Sequence, residues 1–182
     1  MKMILVTGGA RSGKSSYAES ILSELDNCLY IATSIPFDDE MKDRVEKHRE
    51  QRPKSWDTLE SYKDFDRSLN NIINNYDGVI IDCITIMVSN ILLDNCVNMT
   101  HEEFVLAEKQ AIEEVNKLLD KLSSYNGIAV IVTNEVGFGV VPESKLGRYF
   151  RDIAGRINQM IAKRSDEVYL VVSSIPMCIK KV

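Results

Sequence analysis

The segment Gly8-Gly9-Ala10-Arg11-Ser12-Gly13-Lys14-Ser15 fits the pattern G-x-x-x-x-G-K-[ST] at every fixed position. Glycines at that spacing let the backbone curl until successive N–H groups point inward at phosphate oxygens. Lys14 supplies a charge for the outer phosphates, and the Ser15 hydroxyl suits a phosphate-bound Mg²⁺. An apolar run over residues 3–7 precedes the segment and an amphipathic pattern follows it. A phosphate-binding P-loop requires that strand–loop–helix context, and the helix adds its positive N-terminus.

Asp82 closes another apolar run, residues 79–81, where the acidic partner of a P-loop metal usually stands. Alone it would equally be a turn or cap residue; beside the P-loop it is a candidate metal-binding and catalytic carboxylate. A switch-type GTPase needs an N/T-K-x-D segment after a late strand. The corresponding place here reads Thr133-Asn-Glu-Val136, without the lysine or the aspartate, which disfavours that class.

The unusual segment is 38–53, where His48 stands amid Lys47, Arg49 and Arg52. It reads as a polar, charged helix ended by Pro53. Two readings of His48 stay open on residue types alone. Met41, Val45 and His48 fall at i, i+4 and i+7, so the imidazole can end a packing stripe on a solvated helix. Alternatively, neighbouring cations disfavour imidazolium, keep the ring neutral near pH 7 and attract a triphosphate, which equips it to attack phosphorus.

The elements that must position these groups are legible as alternating runs. Strands are expected at 3–7, 29–33, 79–82, 128–133 and 168–172, with Ile175-Pro176 turning the chain into a short edge strand ending at Lys180. Between them, Tyr17, Ala18, Ile21, Leu22 and Leu25 mark a helix from Lys14. A looser stretch runs through Trp56 and Glu60, followed by a helical pattern to Asn75. The longest helix starts at Thr100, which with Glu103 forms a capping box and gives His101 an ordinary first-turn place. Its stripe is Phe104, Ala111, Val115, Leu118, Leu119 and Leu122; Leu146 to Met160 mark the last helix. Continuous β-branched strands separated by helices indicate a parallel sheet covered on both faces. The expected fold is α/β, a P-loop NTPase-like (RecA-like) three-layer arrangement with a mainly parallel sheet and a C-terminal edge hairpin, in one domain over 1–182.

Composition narrows the partners. A net charge of −5 offers no basic excess for nucleic acid. No apolar run approaches the roughly 20 residues needed to cross a bilayer, and no signal peptide is read at the start, so a cytoplasmic protein is expected. Cys28, Cys83, Cys96 and Cys178 lack CxxC spacing; three of them lie within or next to apolar runs, and all read as reduced packing thiols. With only two histidines a zinc site is poorly supplied.

Taken together, the blocks at 4–15, 30–34, 38–41 with His48 and Arg52-Pro53, Asp82-Cys-Ile-Thr85, 132–137, 141–143 and 150–156 with Asn158-Gln159 carry a resemblance over essentially the whole chain. The sequence resembles the bifunctional adenosylcobinamide kinase/adenosylcobinamide-phosphate guanylyltransferase family of cobalamin biosynthesis. The resemblance implies two reactions. ATP or GTP phosphorylates the aminopropanol hydroxyl of adenosylcobinamide. GTP then gives GMP to an enzyme histidine, releasing pyrophosphate, and the GMP passes to the corrinoid phosphate. His48 matches the guanylylated histidine, with Lys14 and Asp82 as the other catalytic residues.

By the same match, the nucleotide contacts are Gly8 to Ser15, Thr33, Ser34, Ile35, Arg49, Glu50, Gln51, Arg52, Glu60 and Asp82, with Mg²⁺ on Ser15 and Asp82. Some relatives carry glutamate where Asp82 stands; the shorter arm shifts metal contact towards a bridging water. The resemblance suggests a homo-oligomer, with a trimer as the candidate state. Arg148, Asp152 and Arg156, at i, i+4 and i+8 on a helix that also carries Arg151, have the spacing of a surface salt-bridge ladder; corrinoid or subunit contact is the alternative. Gly137-Phe-Gly139 with Val141-Pro142 reads as a shaped loop after a strand. Two other functions fit the P-loop alone: a kinase of another small alcohol with a structural His48, and a nucleotide-binding regulatory module.

Overall fold

The structure is a computed structural model that describes residues 2–34, 53–70 and 72–182. The expected charged helix at 38–52, and with it Ile35, His48, Arg49, Glu50, Gln51 and Arg52, lies outside the described residues.

The elements run β1 (Lys2–Gly8), α1 (Lys14–Ile21), β2 (Cys28–Ala32), β3 (Asp57–Glu60), α2 (Phe65–Ser68), a 3₁₀ turn (Ile73–Asn75), β4 (Gly78–Asp82), α3 (Ile84–Asn95), α4 (His101–Ser123), β5 (Ile128–Asn134), α5 (Lys145–Arg164), β6 (Glu167–Val172) and β7 (Ile175–Lys181). The strands form one seven-stranded sheet in the order β3-β2-β4-β5-β1-β6-β7. Every pairing is parallel except β6 with β7, which is antiparallel. Pro176 is tolerated in β7 because that strand is an edge.

The central strands are apolar on both faces, and their residues divide by the two-residue period of a strand. Met3, Leu5, Leu29, Ile31, Val79, Ile81, Ala129 and Ile131 join the core beneath α3, α4 and α5. Ile4, Val6, Cys28, Tyr30, Ile80, Val130 and Val132 join the core beneath α1. The mainly parallel α/β arrangement with a C-terminal hairpin is therefore present.

Three expectations change. The loose stretch before Glu60 is a strand, β3, which pairs with β2 through Leu29–Asp57 to Ala32–Glu60. Its half-exposed side chains give no apolar run to read. The helical pattern to Asn75 is realised only as the single turn α2 and the 3₁₀ turn. Helix α3 was not expected at all. It buries Ile84, Thr85, Met87, Val88, Asn90, Ile91 and Leu92 around most of its circumference, so no one-sided stripe marks it. By contrast, α4 follows its stripe, and Thr100 and Glu103 form the capping box. No helix among the described residues is long and apolar enough to cross a membrane.

Candidate functional site

The G-x-x-x-x-G-K-S segment turns from β1 into α1. Gly13, at φ 90°, stands in the left-handed region where glycine carries no steric penalty. Arg11, at φ 56°, adopts the same region without that freedom. The amide of Ser12 donates to the Gly9 carbonyl at 3.3 Å, and that of Tyr17 to the Gly13 carbonyl at 3.0 Å. Buried Lys14 folds back, its Nζ donating to the Gly9 carbonyl at 3.2 Å. Thus the ammonium is held over the loop that its own sequence creates.

The loop is packed from behind by the last hairpin. A Cβ on Gly8 would lie 2.5 Å from the Val171 carbonyl oxygen, and one on Gly13 would lie 2.6 Å from Ser174 Oγ. Ser173 and Ser174 both have positive φ, 50° and 66°, as a two-residue type I′ hairpin turn requires. Sequence reasoning missed this support because serine pairs are not the usual signal for that turn. A Cβ at Gly9 would meet no atom of the described residues within 4 Å, so among them Gly9 borders open space.

Asp82 ends β4 half-buried, its Oδ2 accepting from the Tyr30 hydroxyl at 2.9 Å. Among the described residues no hydrogen bond engages Oδ1, which suits it to a cation or a water. Thr33 is 1 % exposed, and its hydroxyl is committed to the fold. It donates to the Cys83 carbonyl at 2.8 Å and accepts from the Cys83 amide at 2.9 Å. The Thr33 carbonyl in turn accepts from Asn90 Nδ2 at 2.8 Å. Thr33 thereby braces the end of β2 against the start of α3. Burial, reinforced by the charge of Asp82, pushes the Cys83 thiol up, so it stays protonated at neutral pH.

Beyond β2, a cleft of about 640 Å³ is lined by Thr33, Ser34, Glu60, Ser61, Tyr62 and Arg67 among others. This is the size range of small-molecule sites. Glu60 is exposed at the end of β3. One wall is fixed where the Asp64 amide donates to Glu114 Oε2 at 2.7 Å, the other where the Tyr62 hydroxyl donates to Asp94 Oδ2 at 2.8 Å. The strand order puts Glu60, Thr33, Asp82, Asn134 and Gly8 in a row along the carboxyl edge of the sheet. Ligands of open α/β sheets bind along that edge. Four strand spacings separate its ends, roughly 19 Å.

The arginine ladder on α5 does not form among the described residues. Asp152 pairs with Arg151 at 3.1 Å, Arg148 donates to the Pro142 and Glu143 carbonyls, and Arg156 reaches Glu108 on α4. Arg148 is close enough to the helix start to turn back onto the preceding loop, and that contact displaces the i, i+4 pair. His101 takes its ordinary first-turn place, with Nδ1 2.7 Å from the Tyr149 hydroxyl. All four cysteines are free; Cys28, Cys83 and Cys96 are buried and Cys178 is exposed.

Comparison with known proteins agrees with this geometry. A solved type III secretion system ATPase of pathogenic bacteria superposes with a TM-score of 0.55 at 11% identity over 93% of this chain. The match spans 50% of that ATPase and speaks for the fold alone. The bifunctional adenosylcobalamin biosynthesis protein CobU of Escherichia coli (strain K12) is 47% identical, over 98% of this chain and 99% of its own. CobU of Salmonella typhimurium is 43% identical over the same shares, and CobP of Pseudomonas aeruginosa 35% identical over 97% and 96%. The family described as cobinamide kinase / cobinamide phosphate guanyltransferase matches residues 4–179. A P-loop turned and braced as above, carried on a chain matched nearly end to end, makes this protein a member of the cobinamide kinase / cobinamide phosphate guanyltransferase family.

Proposed function

We propose that the chain phosphorylates the hydroxyl of adenosylcobinamide with ATP or GTP, and then moves GMP from GTP to the resulting phosphate through His48. The observation that carries the nucleotide half is the folded-back Lys14 over a loop whose Gly13 is left-handed and backed by Ser174. In this reading the triphosphate lies on the amides of Gly8 to Ser15, and Lys14 offsets charge on the outer phosphates. The remainder of the nucleotide runs towards Ser34 and Glu60, along the row of strand ends.

Ser15 and Asp82 present a hydroxyl and a carboxylate, hard oxygen donors suited to Mg²⁺, and Tyr30 holds the carboxylate in orientation. When bound, Mg²⁺ would neutralise phosphate charge and orient the phosphates. No cluster of three or more His, Cys, Asp or Glu among the described residues is placed to hold a metal. A P-loop Mg²⁺ needs fewer side chains, since phosphates and water complete its shell.

The transferase half rests on His48 and the surrounding block, which match the family motif. A neutral imidazole nitrogen attacks the α-phosphorus of GTP, the bond to the bridging oxygen breaks, and pyrophosphate leaves with the electron pair. The corrinoid phosphate then displaces the imidazole. Arg49, Glu50, Gln51, Arg52 and Ile35 complete the nucleotide contacts of this reading. It also includes a cytoplasmic location and a homo-oligomer, with a trimer as the candidate state. The exposed Ile175, Met177 and Ile179 of the edge strand offer an apolar surface to a second copy.

Incubation with α-labelled GTP and Mg²⁺ tests the reading. The expected result is an acid-labile, alkali-stable label on the protein, absent in His48→Asn. No label on folded wild-type protein would remove the transferase half, and full cobinamide phosphorylation by Lys14→Ala would remove the phosphate cradle.

A further inference from the structure

The Thr133-Asn134 step at the end of β5 lies between the two halves of the phosphate site. Asn134 pairs in register with Gly8, the first cradle residue, while Asp82 pairs with Val132. Asn134 is thus one two-residue pleat beyond Asp82 on the neighbouring strand, about 7 Å along the strand direction. The strand period places it with Val130 and Val132, on the sheet face that carries α1 and the cradle.

One end of its amide is held by Thr85 and the other end is left over. Nδ2 donates to Thr85 Oγ1 at 2.8 Å, and the backbone carbonyl accepts from Asn158 Nδ2 at 3.0 Å. Asn158 is itself set by the Thr133 hydroxyl, which donates to its Oδ1 at 2.7 Å. Thr85, 2 % exposed, also lies 3.1 Å from Cys83 Sγ, where either group can donate; with the hydroxyl donating to sulfur, its oxygen accepts from Asn134 Nδ2. The Oδ1 atom of Asn134 is buried and has no hydrogen-bond partner among the described residues. A buried acceptor left unpaired costs about 1–3 kcal/mol, so one held rigidly at a phosphate site calls for a donor that arrives with a ligand.

We propose that Asn134 is a further substrate-contacting residue of the phosphoryl transfer, its Oδ1 accepting a hydrogen bond from the attacking hydroxyl of the alcohol substrate. This rests on the kinase reading above. The hydroxyl oxygen forms its bond to the γ-phosphorus as the bond to the β-phosphate oxygen breaks, and the nucleoside diphosphate leaves with the electron pair. An amide oxygen aims the O–H but is too weak a base to keep the proton, which passes to water. Aiming the nucleophile lowers the barrier by fixing orientation, so its loss falls on kcat rather than on nucleotide affinity.

The test measures phosphate transfer from γ-labelled ATP to cobinamide, nucleotide affinity by titration with a fluorescent ATP analogue, and thermal melting. Asn134→Ala is expected to lower kcat about 100-fold while the nucleotide Kd changes less than threefold. Asn134→Leu, similar in volume without an acceptor, should match it. Asn134→Asp, which keeps an oxygen in place, should stay within about tenfold of wild type. The Leu and Asp variants decide the matter if the alanine variant fails to fold. Undiminished kcat in Asn134→Leu, a loss confined to affinity or melting, or equal losses in Asp and Leu would each overturn the proposal. Wild-type protein that transfers no phosphate to cobinamide would overturn the kinase reading as well, which distinguishes the two failures.

Discussion

The Ser174 amide donates to the carbonyl of Ser12 at 2.7 Å, so the turn of the last hairpin holds the phosphate loop near the other end of the sequence. Gly13 lies against the same serine, with no room for a side chain. Gly13→Ala combines a strained φ with that clash and is expected to destabilise the protein by about 1–3 kcal/mol. Nucleotide affinity should fall at least tenfold. Urea unfolding and nucleotide titration would measure the two effects, and unchanged affinity would show that the loop tolerates another path.

Lys14→Ala removes the charge held over the loop at Gly9. We expect a loss of about 10²–10³ in kcat for cobinamide phosphorylation with a far-ultraviolet spectrum like that of wild type. Steady-state kinetics on the purified variant check this.

Tyr30 donates its hydroxyl hydrogen to Asp82 Oδ2 at 2.9 Å. Tyr30→Phe should raise the Mg²⁺ concentration for half-maximal activity about tenfold, because an outer partner orients the carboxylate. Asp82→Asn should lower activity further at every Mg²⁺ concentration. A metal titration of both variants gives the ranking; an unshifted Tyr30→Phe curve would remove the orienting role of Tyr30, and an unshifted Asp82→Asn curve would remove Asp82 from the metal site.

Cys28 is fully buried beside Leu25 and Gly78, and burial pushes its thiol from 9.0 up to about 11. A raised folded value means that the folded state keeps the proton longer than the unfolded chain. Its contribution is therefore complete below pH 9 and is lost as pH rises towards the folded value of about 11. After allowance for solvent screening the loss amounts to about 2 kcal/mol at most. Denaturant unfolding of wild type and Cys28→Ala between pH 8 and roughly pH 11 should show the wild type losing more, and parallel curves would refute the assignment.

Much of the site was legible because its chemistry is local in sequence. Gly8 to Ser15 form one turn, and Asp82 ends a strand whose apolar run announces it. Thr33 was legible as a position but not as a role, since its hydroxyl is bound by Cys83, fifty residues away. Thr85 was visible only as part of a matching block, and Asn134 only there and in the segment that lacks a switch GTPase's lysine and aspartate. Their meaning comes from the placing of β5 between β4 and β1, which no spacing in the chain encodes. Helix α3 was hidden for a different reason: a helix apolar on nearly every side has no periodic stripe.

Strand β1 precedes the other strands of the sheet in the chain, yet both of its partners, β5 and β6, come late. The early glycines and lysine therefore gain their first sheet partner with β5 and their last brace only when the chain has emerged through Ser174. Long-range pairings of this kind form slowly. Capture of a triphosphate by a growing chain would thus report the closing of the sheet, making the ligand a natural gauge of when this protein has finished folding.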